Sequence, residues 1–182
     1  LGVGVSNKGD KPANKKVTWS HSFKWKPPKY NTIDFLFKLK KDNMIDDIKT
    51  VFQPNDSNKI IQYKVGYLYV GFNTNEHGYL NPYNDVLEDN INPEIKSYSY
   101  KPMKFYPSNP YDDTAHICYI KINKDTKLIQ TLENEEIEDN TIIEFAYNVE
   151  EEDIYKKWTP LRVRYDKTYE FRTKQNNFGN AY

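Results

Sequence analysis

A mainly β architecture, folded as a small antiparallel barrel, is what the sequence predicts, and three observations predict it. Apolar and polar residues alternate with a period of two in five or six short runs, the pattern of half-buried strands. Sixteen Tyr and nine Phe are present, and aromatic side chains are favoured on a pleated surface. The remaining stretches are rich in Pro, Asn and Asp rather than in helix-period patterns, so most connections read as turns. Hydrophobic residues make up 37% and charged residues 29% of the 182 positions. That is low for a globular chain, but the aromatic content excludes a disordered one. The length allows one large domain, or one domain with a piece of another, and a real core.

Taken in order, residues 1–16 carry Gly2, Gly4, Gly9, Pro12 and Asn14 and read as loop. Residues 17–26 read as a strand with Trp19, Phe23 and Trp25 on one face and Lys24 and Lys26 on the other. Pro27-Pro28 ends it. Thr32 to Lys40 is the next strand, with Ile33, Phe35, Phe37 and Leu39 inward and Asp34, Lys38 and Lys40 outward. Residues 42–60 are polar and hold the turn Pro54 to Asn58. Ile60 to Phe72 is strand-rich, and its alternation assigns Tyr63, Tyr67 and Tyr69 to the core, with a stacking platform as the alternative.

Residues 73–113 hold five prolines and read as a long irregular excursion, with a short helix expected at 84–89. Ala115 to Ile122 is a strand, 127–132 a short one, Glu133 to Asp139 an acidic turn, and Thr141 to Tyr147 a strand. Leu161 to Lys167 reads as the last strand, with Arg162, Arg164 and Asp166 on one face and Leu161, Val163 and Tyr165 on the other. Residues 168–182 are polar, and 176–182 read as a linker. These elements fit a five-stranded OB-type barrel over 30–175 with an insertion at about 73–113.

The formal net charge is zero, but the charges are segregated. Residues 8–41 hold ten basic and two acidic side chains, 133–153 ten acidic and no basic ones, and 156–174 seven basic and two acidic. Two basic ends suggest an anionic partner, a nucleotide or nucleic acid. No apolar run reaches the length of a membrane span, and no signal-peptide pattern opens the chain. Cys118 is the single cysteine, so no internal disulfide exists. Its apolar run predicts a buried thiol in a reducing compartment. His21, His77 and His116 have no metal-ligand spacing with it or with one another.

Two clusters carry candidate chemistry. Lys24 and Lys26 project in parallel from one strand face, a pair that repels unless an anion lies between them. Arg162 and Arg164 present planar forks suited to phosphate oxygens, Asp166 could orient one guanidinium, and Lys167 adds a charge. The plain alternative for both is a solvated surface, where such pairs contribute little to stability.

Read together, Lys-Trp-Lys-Pro-Pro at 24–28, Asn-Thr-Ile-Asp-Phe at 31–35, Trp158 and Arg-Tyr-Asp-Lys-Thr at 164–168 resemble the C-terminal part of mRNA capping guanylyltransferases. The multifunctional capping enzymes of large DNA viruses are the nearest in pattern. The resemblance covers about 17–40 and 158–180. It implies that 1–29 ends a nucleotidyltransferase domain with motif V, that 30–175 is an OB-fold with motif VI, and that 176–182 leads toward a methyltransferase domain. It implies transfer of GMP from GTP to the diphosphate 5′ end of RNA through a lysyl-GMP intermediate. Lys24 and Lys26 would then serve the α-phosphate. Arg162, Arg164 and Lys167 would bind the triphosphate, and Asp166 would orient the leaving group. The partners implied are GTP, the RNA 5′ end and the other domains of the same polypeptide, with Mg or Mn as divalent metal and no membrane. The expected setting is the cytoplasm of a host cell, or the virion.

The family's Lys-x-Asp-Gly nucleophile motif does not occur in the sequence. The metal ligands and purine pocket are likewise expected outside this chain, which alone should not form the adduct. The alternative function is a stand-alone OB-fold module that binds single-stranded RNA without catalysis.

Overall fold

The computed structural model describes residues 31–53, 56–74, 100–107 and 110–182. The chain divides between Asn31 and Thr32, and the fold below is that of Thr32–Tyr182. The expected strand at 17–26, with Lys24 and Lys26, and the expected helix at 84–89 lie outside the described residues.

The fold is mainly β, as predicted. The strands are β1 (Thr32–Leu39), β2 (Lys41–Asp42), β3 (Ile45–Asp46), β4 (Ile48–Gln53), β5 (Asp56–Asn73), β6 (Tyr100–Lys104), β7 (Ile117–Lys121), β8 (Thr141–Tyr147) and β9 (Trp158–Val163). One α-helix, α1 (Tyr165–Arg172), follows β9. The main sheet runs β4-β5-β1-β8-β9, with β6 and β7 also pairing β5. All its strand pairs are antiparallel. β7 and β9 approach each other, so the sheet curls around one core.

That core is built where the alternation puts aliphatic and aromatic side chains inward. Phe35 and Phe37 of β1, Leu68 and Val70 of β5, Cys118 and Ile120 of β7, Ile143 and Phe145 of β8 and Trp158 of β9 form one cluster. The Phe35 ring meets the Trp158 ring edge-on at 4.9 Å, and the Trp158 indole N–H donates to the Ala115 carbonyl at 3.0 Å. A buried indole thus keeps its polar handle satisfied.

Several sequence expectations are corrected. Tyr63, Tyr67 and Tyr69 do not enter the core, because both faces of β5 carry large apolar groups. The aliphatic Leu68 and Val70 take the dry side, and the tyrosines, with polar tips, stay partly exposed. The polar segment 42–60 contains a tight hairpin, with Asn43 and Met44 both at positive φ, and then β4. Within the 73–113 excursion, Tyr100–Lys104 form the strand β6, paired with β5.

The last strand stops at Val163, and Tyr165–Arg172 is helical. Asp166 in the first turn and Arg172 in the last complement the helix dipole. Asp34 faces away from the core as expected, yet it is buried at 6% exposure. The tail covers it: Asn180 N–H donates to the Asp34 carbonyl at 2.7 Å, and the Asp34 N–H donates to Asn180 Oδ1 at 3.0 Å. Residues 179–182 of the expected linker lie along β1 and β5, with bridges Phe35–Gly179 and Gly71–Ala181.

Candidate functional site

The register of three strands lines up a charged row on the face away from the core. Asp34 of β1 is paired with Glu144 of β8, and Glu144 is paired with Arg162 of β9. Cross-strand partners share a face, so two carboxylates and one guanidinium stand side by side. Val163 ends the strand, and Arg164 turns the chain into α1 with φ −95° and ψ 81°. That corner sends Arg164 back over β1, and the first turn of α1 adds Lys167.

Both cations reach one oxygen. Arg164 Nη1 lies 2.5 Å from Asp34 Oδ2, and Lys167 Nζ lies 2.6 Å from the same atom. Arg164 Nη2 is also 3.3 Å from Asp166 Oδ2. The Asp34 side chain is 8% exposed, while those of Arg164 and Lys167 keep 24% and 26%. Asp34 is thus the buried anchor, and the two cations retain donors on the surface. A guanidinium has five N–H donors and an ammonium three, so an anion arriving from solvent finds unused donors already oriented.

The neighbouring carboxylates are held ionised. Burial raises the Glu144 pKa, but hydrogen bonds from Thr32 Oγ1 at 2.6 Å and Arg162 Nε at 2.6 Å outweigh it and leave it below the usual range. The Arg164 hydrogen bond holds Asp166 below the usual range as well. Burial works against the Arg164 charge, yet Asp166 and Asp34 more than offset it and raise its pKa. Glu144, Arg164 and Asp166 therefore carry their charges at neutral pH.

Of the sequence-predicted residues, the structure brings together Arg164, Asp166 and Lys167. Arg162 stands one pair away, 51% exposed and bound to Glu144. The expected single strand face holding Arg162, Arg164 and Asp166 is corrected, because the strand ends before Arg164 and Asp166 is helical. Asp34, Glu144 and Thr32 were not singled out by their chemistry. The available signal was an Asp inside the run Ile33-Asp34-Phe35-Leu36-Phe37, where a carboxylate among buried aromatics needs partners. Among the described residues, no group of three or more His, Cys, Asp or Glu could hold a metal ion. No helix among them is long and apolar enough to cross a membrane.

A comparison with curated proteins bears out the resemblance read from the motifs. The chain is similar to a probable mRNA-capping enzyme of Acanthamoeba polyphaga mimivirus, 31% identical over 163 residues and 87% of this chain. It spans 11% of that protein's length. No family model matches the chain, and no solved structure matches it.

Proposed function

We propose, from the likeness to a segment of a viral capping enzyme, that this chain supplies the triphosphate-binding lid of an mRNA guanylyltransferase. The observation that carries the reading is the meeting at Asp34. The Asn31–Phe35 stretch and the Arg164–Thr168 stretch were read separately in the sequence, and they meet in one ion cluster.

The mechanism follows from what these side chains can do. Arg164 and Lys167, oriented by Asp34, bind the β- and γ-phosphates of GTP and draw charge toward the pyrophosphate leaving group. Asp166 holds the second Arg164 nitrogen and limits its rotation. Donors fixed before the reaction need no reorganisation, which is why each such group typically contributes about 2.7–4 kcal/mol in a transition state. Lys24 and Lys26 neutralise charge growing at the α-phosphate as a lysine elsewhere in the polypeptide attacks it. A divalent metal, if held by residues outside this chain, would supply charge shielding at the phosphates. The strand path β7-β5-β1-β8-β9, with its two ends approaching, supports an OB-type lid. Opening of the lid then admits the diphosphate 5′ end of RNA.

The test is covalent labelling with α-labelled GTP and Mg or Mn, in a polypeptide that carries this chain with its nucleotidyltransferase domain. Labelling is expected in the unchanged protein and should fade at least tenfold in Lys24→Ala, Arg164→Ala and Lys167→Ala. Variants that label like the parent would remove these residues from the chemistry.

A further inference from the structure

The outer face of β5 carries a repeated arrangement that the ion cluster does not use. Tyr63, Tyr67 and Tyr69 stand on the side opposite Leu68 and Val70. Each ring has an ammonium over it, and each ammonium comes from a different element. Lys156, from the 3-10 turn Ile154–Lys156, is 5.0 Å from the Tyr63 ring centre. Lys104 of β6 is 4.9 Å from that of Tyr67, and Lys38 of β1 is 5.0 Å from that of Tyr69. Pairing sets Lys49 and Lys121 on either side of Tyr63. Tyr119 of β7 lies 6.4 Å from Tyr63 and stacks on Tyr155 at 4.8 Å.

The charge on this face is net positive, with lysines outnumbering carboxylates. Asp47 answers Lys40 and Lys49, and Asp153 answers Lys156. Lys38 and Lys104 form no ion pair among the described residues. Between this face and the ion cluster stands Leu36, which is fully buried. Lys38 and Asp34 share one side of β1, four residues or about 13 Å apart.

We propose that this tyrosine–lysine face is a track for single-stranded RNA. The choice of RNA rests on the capping reading. The chemistry of the face stands apart from it: flat π-surfaces for bases alternate with ammonium groups for phosphates, the combination that holds single strands without reading their sequence. A base takes the ring face, and the lysine that covered it moves to the adjoining phosphate. Stacking of a base on an aromatic ring is stronger than an exposed cation–π contact, so the exchange is favourable.

The experiment titrates the 182-residue chain into a fluorescein-labelled oligouridine of about 16 nucleotides, without GTP, at several salt concentrations, and follows anisotropy. The unchanged chain should bind with a strong salt dependence. The triple variant Lys38→Gln, Lys104→Gln, Lys156→Gln should lower the slope of log affinity against log salt by about 2, since each phosphate contact contributes about 0.7. Tyr63→Leu should weaken binding about tenfold with the slope unchanged. The exposed Lys127→Gln and Lys174→Gln should bind as the parent does, and circular dichroism should show every variant folded. No binding by the unchanged chain, or a triple variant with the parent slope, overturns the proposal. GTP labelling reads the lid independently. Intact RNA binding with labelling indifferent to Arg164 would sink the lid and keep the track, and the reverse would do the opposite.

Discussion

Asp34 and Arg164 are 130 residues apart in sequence and 2.5 Å apart in the fold. Asp34 is buried in the first strand of the described unit, and Arg164 sits where the last strand becomes a helix. Their pairing, with Lys167 on the same oxygen, ties the interior strand β1 to the chain leaving the edge strand β9. Removing the carboxylate leaves two cations facing each other. Asp34→Asn should therefore lower stability by about 1.5–3 kcal/mol, the scale of hydrogen bonds to charged groups. Arg162→Gln, at a half-exposed pair, should cost no more than about 1 kcal/mol. Urea unfolding of the two variants compares them, and equal losses would count against Asp34 as the anchor.

Gly66 and Gly179 have no room for a methyl group. A Cβ on Gly66 would meet the Phe37 ring, which is fully buried. Gly66→Ala should cost about 1–3 kcal/mol by overpacking. Gly179 has φ +92°, and a Cβ there would strike the Asp34 carbonyl. Gly179→Ala should lift the tail from β1, seen as faster amide exchange at Asp34 and Asn180. Protection at both amides equal to the parent's would refute the tail's role in covering Asp34.

His116 is buried between the Tyr67 and Tyr106 rings, and its Nδ1 has no hydrogen-bond partner among the described residues. Burial, with Lys104 nearby, lowers its pKa from 6.5 to about 4. Between those values the unfolded chain binds a proton that the folded chain does not. Stability therefore falls as pH drops from 6.5 toward 4, by up to about 3 kcal/mol. In His116→Gln the same pH change should cost less, as read from urea midpoints across that range. Parallel curves for the two proteins would exclude the histidine as the source.

Cys118 is fully buried, and burial pushes its thiol pKa up. A thiol held neutral inside the core is a poor nucleophile. A disulfide reagent should leave the folded chain unmodified and react fully with it in urea. Rapid modification without denaturant would mean that β7 is open to solvent.

The sequence was legible where one face of a strand was apolar and the other polar. The alternation Ile33-Phe35-Phe37 gave β1 its core face, and Thr141 to Tyr147 gave β8 its observed bounds. It was ambiguous where both faces were apolar, as on β5, and the competition between Leu68 and the tyrosines for the dry side was settled by packing. It was silent at Arg164, because Arg-Tyr-Asp-Lys suits a strand end and a helix start equally. Sequence determined by itself the β class, the segregation of charge and the motif residues, since each rests on local periodicity or residue type. Only the tertiary structure decided which carboxylate holds Arg164 and Lys167, because Asp34 reaches them through the strand pairing of β1 with β8 and of β8 with β9. Contacts at that sequence separation follow from sheet register and chain reversal, and no local pattern encodes either.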